Sequence, residues 1–230
     1  MEQLPIDDVL PELVAHLRGG ASVVLRAPTG AGKTTRIPPA LALAGIAGDK
    51  QILVLQPRRV AARAMAAWMA AENGWTLGGE VGYQVRFEDR ISNRTRIAVV
   101  TEGVLLRRLH DDPFLQEVGV VVFDEFHERN LNSDLALGMV RQIQQSVRTD
   151  LKIVVMSATL APEPVAAYLG GCPAIECAGR THPVEISYLN SPERQPSADL
   201  AAAGVRQLLD RTAGHVLVFL PGLREIRQAK

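Results

Sequence analysis

The chain has 230 residues, enough for one large domain or one and a part, and is 47% hydrophobic and 22% charged, the balance of an ordinary globular protein. Twenty-five basic and 25 acidic side chains cancel to a formal net charge of zero, which excludes a globally basic nucleic-acid binder, so any cationic surface must be local. No apolar run reaches the ~18 residues of a membrane span, the acidic opening is no secretory leader, and Cys172 and Cys177 read as reduced structural thiols, so the cytosol is the expected compartment.

Ile6, Val9, Leu10, Leu13, Val14 and Leu17 recur at helical spacing. Pro11 then belongs in the first turn, Gly19-Gly20 ends the helix, and its expected role is to cover an edge of a sheet. Ser22 to Leu25 is a short apolar strand that runs into Ala27-Pro28-Thr29-Gly30-Ala31-Gly32-Lys33-Thr34-Thr35 and then a helix to about Leu43. Strand, glycine loop and helix form a phosphate cradle, because the loop's N–H groups and the helix N-terminus both favour an anion. Lys33 reaches the β- and γ-phosphates in such a loop, and Thr34 holds Mg²⁺. Ala27 stands where the strict motif has glycine, which is acceptable if that residue keeps a negative φ. Pro38-Pro39 predicts a short or irregular helix.

Gln51 to Gln56 is a second buried strand, followed by Pro57-Arg58-Arg59 and an Ala-rich helix to about Glu72. Two arginines at a helix start oppose its dipole, so that end is expected either to face an anion or to lie free on the surface. Gly82 to Phe87 alternates like an edge strand. Thr95 to Val100 is buried and leads to Thr101-Glu102-Gly103, a helix start where Thr101 either caps the helix or offers free N–H groups to a nucleic-acid phosphate.

Val118 to Phe123 is a further buried strand, ending at Asp124-Glu125-Phe126-His127. A carboxylate at a strand tip beside the phosphate loop holds Mg²⁺ through water, and its neighbour Glu125 is placed to deprotonate an attacking water. A helix follows from about Asn132 to Ser146, then a strand from Leu151 to Met156 and Ser157-Ala158-Thr159, whose hydroxyls either carry information to a partner domain or cap the next helix. Pro162 to Leu169 is a short helix and Ala174 to Cys177 a last strand. Residues 179 to 183 form the expected linker. Beyond it come a strand from Val184 to Leu189, a polar loop, a helix from Ser197 to Arg211, a strand from His215 to Leu220 and a final helix from Leu223. Buried strands alternating with helices predict a mainly parallel α/β sheet covered on both faces, with ligands beyond the carboxyl ends of the strands, where every motif above falls.

Together these motifs resemble those of DEAH-box RNA helicases of superfamily 2, nearest the bacterial HrpB type. Ala27 to Thr35 is similar to motif I, Gln56 to Ala62 to motif Ia, Thr101 to Gly103 to motif Ib, Asp124 to His127 to motif II, Ser157 to Thr159 to motif III, and Phe219 to Gly222 to the start of motif IV. The resemblance implies a RecA-like P-loop domain over residues 1–180 and the beginning of a second RecA-like domain over residues 181–230. It implies hydrolysis of ATP with Mg²⁺, coupled to movement along and unwinding of RNA. Thr29 to Thr35 would bind the nucleotide, Thr35 at the α-phosphate. His127 would link the γ-phosphate to Ser157 and Thr159, and Arg58, Arg59, Thr101 and Gly103 would hold the RNA backbone. The family has no base-reading motif, and Arg63 is the candidate to stack on the base. Phe126 replaces the family's usual alanine and is expected to pack beneath its loop. Motifs V and VI would lie beyond residue 230, so this stretch is expected to bind nucleotide but to turn it over poorly, alongside the protein's remaining helicase domains and as a monomer. A DNA translocase of the same superfamily and an ATP-gated RNA-binding module are the alternatives. Transporter-ATPase and GTPase signatures are absent from the sequence.

Overall fold

The structure is a computed structural model that describes residues 3–179, 184–189 and 196–230. Its residues group into two compact units, 1–181 and 182–230. Among the described residues no helix is long and apolar enough to cross a membrane.

The first unit is an eight-stranded sheet between two helical layers. Its strands are β1 (Ser22–Arg26), β2 (Gln51–Leu55), β3 (Val81–Val85), β4 (Glu88–Arg90), β5 (Ile97–Val100), β6 (Val118–Phe123), β7 (Lys152–Ser157) and β8 (Ala174–Glu176). They lie in the order β4-β3-β5-β2-β6-β7-β1-β8. All neighbours are parallel except β3 and β4. The helices are α1 (Leu10–Gly19), α2 (Lys33–Leu43), α3 (Arg59–Asn73), α4 (Glu102–Asp111), α5 (Leu131–Ser146) and α6 (Pro162–Tyr168).

Successive strand residues point to opposite faces, so an unbroken apolar strand feeds two cores. Val23 and Leu25 of β1, Ile52 and Val54 of β2, and Val120 and Val122 of β6 face α1, α2 and α3. Val24, Leu53, Leu55, Val121 and Phe123 face α4, α5 and α6. Every residue of β6 is buried, as its central place requires.

Four expectations are corrected. The stretch Gly82 to Phe87 is not at the edge. β3 has β5 on one side, and on the other the short β4, which folds back on it through a two-residue turn. Three polar residues, Glu88-Asp89-Arg90, carry no apolar signal of a strand, and only pairing with β3 makes them one. Second, α1 packs on β1, which lies inside the sheet between β7 and β8, rather than over an edge. Pro11 does sit in its first turn. Third, α2 runs unbroken through Pro38 and Pro39, both buried against the sheet together with Ile37 and Leu41. Core burial offsets the two helical hydrogen bonds that the prolines cannot donate. Fourth, in the second unit residues 184–189 and 215–220 are not in strands. A strand is defined by its ladder, and among the described residues neither segment has a ladder partner. The helices there, α7 (Ser197–Leu209) and α8 (Leu223–Ala229), pack on each other. The expected linker residues 180–183 and loop residues 190–195 lie outside the described residues.

Candidate nucleotide site and strand-binding face

Parallel strands bring their carboxyl ends to one edge of the sheet. Across that edge stand Thr101 after β5, Gln56 after β2, Asp124 after β6, Ser157 at the end of β7 and Ala27 after β1.

The loop after β1 turns through Gly30 (φ 79°) and Gly32 (φ 92°), conformations that favour glycine. Ala27 is fully buried, keeps a negative φ, and its N–H donates to the Ser157 carbonyl at 3.0 Å, so alanine there carries no backbone strain. The Ala31 carbonyl accepts from the N–H of Ile6 at 3.1 Å, which ties the amino-terminal segment to the loop. Lys33 opens α2 with its side chain 4% exposed and its Nζ 3.1 Å from Oε1 of Glu125. The Thr34 hydroxyl donates to Asp124 Oδ2 at 2.8 Å. The Thr35 hydroxyl donates to the Gly32 carbonyl at 3.4 Å. Thr29 and Gly30 lie exposed at the mouth.

Asp124 is 4% exposed and held from three directions. Besides Thr34, it accepts from Gln56 Nε2 at 3.1 Å and from the Glu125 N–H at 2.9 Å. Burial, and then the adjacent charge of Glu125, push its carboxyl up to about 6, against the pull of the Thr34 hydroxyl and the Lys33 ammonium. A buried carboxylate so placed is short of positive charge, and with the Thr34 hydroxyl it forms the oxygen donor set that suits Mg²⁺. Glu125 takes a left-handed conformation (φ 51°), unusual for a residue with a Cβ. His127 Nδ1 is 3.4 Å from Glu125 Oε2 and 3.4 Å from the Ala158 nitrogen. Protonated, Nδ1 donates to Glu125; bare, it accepts from Ala158 N–H. The imidazole therefore joins the ends of β6 and β7 only when Nδ1 is bare, and turns to Glu125 when it is protonated. Phe126 is 4% exposed and meets the Phe123 ring edge-on at 6.1 Å, packed beneath the loop as its size demands.

Thr29, Gly30, Gly32, Lys33, Thr34, Thr35 and Glu125 border a cavity of about 390 Å³. Its wall also includes Leu4, Arg36, Trp68 and Glu72, which belong to none of the sequence motifs. Arg36 pairs with Glu72 at 3.1 Å and approaches Asp7 at 3.9 Å. Trp68 lies one residue off the buried stripe of Met65 and Met69 on α3 and is 61% exposed. An indole at a solvent-facing position of an Ala-rich helix was the available signal. Arg63 does not line this cavity. Its guanidinium is held by Glu88 of β4 at 2.6 Å.

Ser157 is buried, and its hydroxyl accepts from the Leu160 N–H at 2.9 Å within its own turn, whereas the N-cap of α6 is Ala161 with no side-chain cap, so Ser157 does not cap that helix; Thr159 is exposed. Thr101 is the N-cap of α4, yet its side chain makes no cap hydrogen bond. Gly103 is exposed with open space around its Cα. Arg59, Thr101 and Gly103 share a second cavity of about 1010 Å³ with Arg107 and Arg108. Arg58 is brought to the same edge but is engaged by Glu128 at 2.8 Å.

A family model described as DEAD/DEAH box helicase matches residues 9–167. The chain is 43% identical over its whole length to the ATP-dependent RNA helicase HrpB of Escherichia coli, of which it covers 28%. It is 37% identical to the ATP-dependent RNA helicase HrpA of Borreliella burgdorferi, again covering 28% of that protein. The crystal structure of the E. coli DEAH/RHA helicase HrpB superposes with a TM-score of 0.91 at 42% identity, over 99% of this chain and 29% of that one. The chain thus spans less than a third of these relatives.

Proposed function

Because the chain belongs to the DEAD/DEAH box helicase family, we propose that its first unit is the nucleotide-binding domain of an ATP-dependent RNA helicase, which couples Mg-ATP hydrolysis to movement along single-stranded RNA. The observation that supports this most is the pair of contacts joining the phosphate loop to the tip of β6, Lys33 to Glu125 and Thr34 to Asp124. Both link the residue types that phosphoryl transfer needs, and Lys33, Thr34 and Glu125 line one cavity of about 390 Å³.

The N–H groups of residues 30–35 and the Lys33 ammonium would hold the phosphates, and Thr34 and Asp124 would hold Mg²⁺, Asp124 through water. When bound there, Mg²⁺ would supply positive charge to the phosphate chain. Glu125 accepts the proton of the attacking water on its carboxylate. In this structure Lys33 is paired with that same carboxylate. Arrival of a phosphate chain gives the ammonium a stronger partner and frees Glu125 to act as base, so the ion pair keeps both groups idle until substrate is present. His127 would either steady Glu125 or hold the end of β7 at Ala158, one contact at a time through Nδ1. The exposed face of Trp68 offers a stacking surface for a base, which suits loose base selection. Arg59, Thr101 and Gly103 would take the sugar-phosphate backbone of the strand, a contact set that carries no sequence information.

Calorimetric titration with MgADP tests the site. Lys33→Ala is expected to weaken binding about 10- to 100-fold, the worth of one or two charge-assisted hydrogen bonds. Trp68→Ala should weaken it by less. Equal affinity of Lys33→Ala and the parent chain overturns the assignment. Comparing binding of RNA and of single-stranded DNA of equal length decides the nature of the strand.

A further inference from the structure

Arg58 sits at the N-cap of α3 with its side chain 73% exposed, where a strand phosphate would be expected to reach it. Its Nη2 is instead 2.8 Å from Oε1 of Glu128, whose side chain is 31% exposed. Glu128 closes the single 3-10 turn Phe126–Glu128, one residue after His127 and three after Glu125. That turn is bracketed by two non-glycine residues with positive φ, Glu125 at 51° and Arg129 at 36°. Such backbone persists only where the surroundings hold it. The holding contacts are visible. Arg129 is clamped by Asp134 through two hydrogen bonds of 2.9 Å and lies 5.3 Å over the Phe126 ring. Past it, Asn130 donates to Glu102 at the first residue of α4 at 2.8 Å, and Ser133 donates to the same carboxylate. One short strained segment therefore touches the nucleotide site at Glu125 and both strand-facing helix starts, at Arg58 and at Glu102.

We propose that Glu128 is an internal stand-in for a strand phosphate. It occupies Arg58 when no nucleic acid is bound, and a backbone phosphate that takes Arg58 expels it. Two anions on one exposed guanidinium repel each other, so phosphate and Glu128 compete. Release of Glu128 removes one of the contacts that hold the 125–129 turn, beside those of Arg129 and Asn130, and loosens the strained backbone. Glu125 and His127 ride on that turn, so strand binding is reported to the nucleotide site over three residues of chain. The inference rests on reading the starts of α3 and α4 as a strand-binding face.

The test is a double-mutant cycle on the 230-residue chain, with a fluorescein-labelled twelve-nucleotide oligo(U) followed by anisotropy. Glu128→Gln should tighten binding about two- to five-fold, the worth of one part-exposed ion pair. In an Arg58→Ala background the same substitution should change nothing. Equal tightening in both backgrounds means simple removal of a repelling charge and overturns the latch, as does unchanged or weaker binding by Glu128→Gln alone. Absence of oligo(U) binding by the parent chain, with intact thermal unfolding, overturns the strand-binding reading itself, a result distinct from the other two. Amide exchange of residues 125–130 is the second readout. Oligo(U) should speed it in the parent chain, and Glu128→Gln should show it already fast. Exchange unaffected by either also refutes the proposal.

Discussion

Gly30→Ala and Gly32→Ala put the same methyl group into the same loop and are expected to differ sharply. Both glycines have a φ near +80 to +90°, where an L side chain costs about 1–2 kcal/mol. An added Cβ at Gly30 meets nothing within 4 Å, so Gly30→Ala should cost that backbone penalty alone. At Gly32 the new Cβ lies 2.7 Å from Leu4 Cδ1, 3.2 Å from Leu4 Cβ and 3.1 Å from Ile6 Cγ2. The Leu4 methyl can rotate away. Its own Cβ and the fully buried Ile6 cannot both retreat while the Ile6 N–H stays on Ala31. Overpacking of this kind costs about 1–3 kcal/mol, which puts Gly32→Ala at about 2–5 kcal/mol. Urea unfolding followed by tryptophan fluorescence is the assay, since Trp68 and Trp75 are the only tryptophans and both belong to the first unit. Leu4→Ala in the Gly32→Ala background removes the Cδ1 contact but leaves Leu4 Cβ and Ile6 Cγ2 in place, so it should recover only part of the difference between the two glycine variants, a coupling that only direct contact produces. Equal destabilisation by Gly30→Ala and Gly32→Ala, or no rescue by Leu4→Ala, would refute the claim that the amino-terminal segment is seated on the loop.

Two further outcomes follow from packing and charge. Phe126→Ala should lower the stability of the first unit by about 3–4 kcal/mol, because a buried ring packed edge-on against Phe123 leaves a cavity; a loss under 1 kcal/mol in urea would show that the turn repacks. Asp150 is held well below the usual carboxylate range, chiefly by hydrogen bonding to Arg148, with Lys50 adding to it. A depressed carboxyl stabilises the fold above its unfolded value of about 4 and loses that contribution as the pH falls towards its folded value. Asp150→Asn should therefore lower the melting temperature at pH 7, with the gap to the parent chain closing below about pH 4; a gap independent of pH would sink the argument.

The parts of this protein legible in its sequence are those written in neighbouring residues. The phosphate loop needs glycines, a lysine and a threonine within nine positions, and a buried parallel strand needs a run of β-branched residues, so both can be read locally. Alternation of such runs with helices sufficed for the fold class and for placing the motifs at strand ends. What the tertiary structure decided is who faces whom. Thr34 meets Asp124 across 90 residues of chain, and Arg58 meets Glu128 across 70. Neither pairing has a local signature, because the first depends on β7 alone separating β6 from β1 and the second on β2 lying beside β6. The same reason accounts for β4, a polar tripeptide that becomes a strand only beside β3, and for Arg63, which the sheet edge gives to Glu88 rather than to the nucleotide cavity. Ser157 and Trp68 show the converse. A hydroxyl that local motif reading would spend on coupling is used by its own turn, and an indole with no motif lines the cavity wall. Residue types and their spacing set which chemistry the chain can perform. Strand order sets which side chains stand close enough to perform it, since a contact of about 3 Å is made by packing and not by position in sequence.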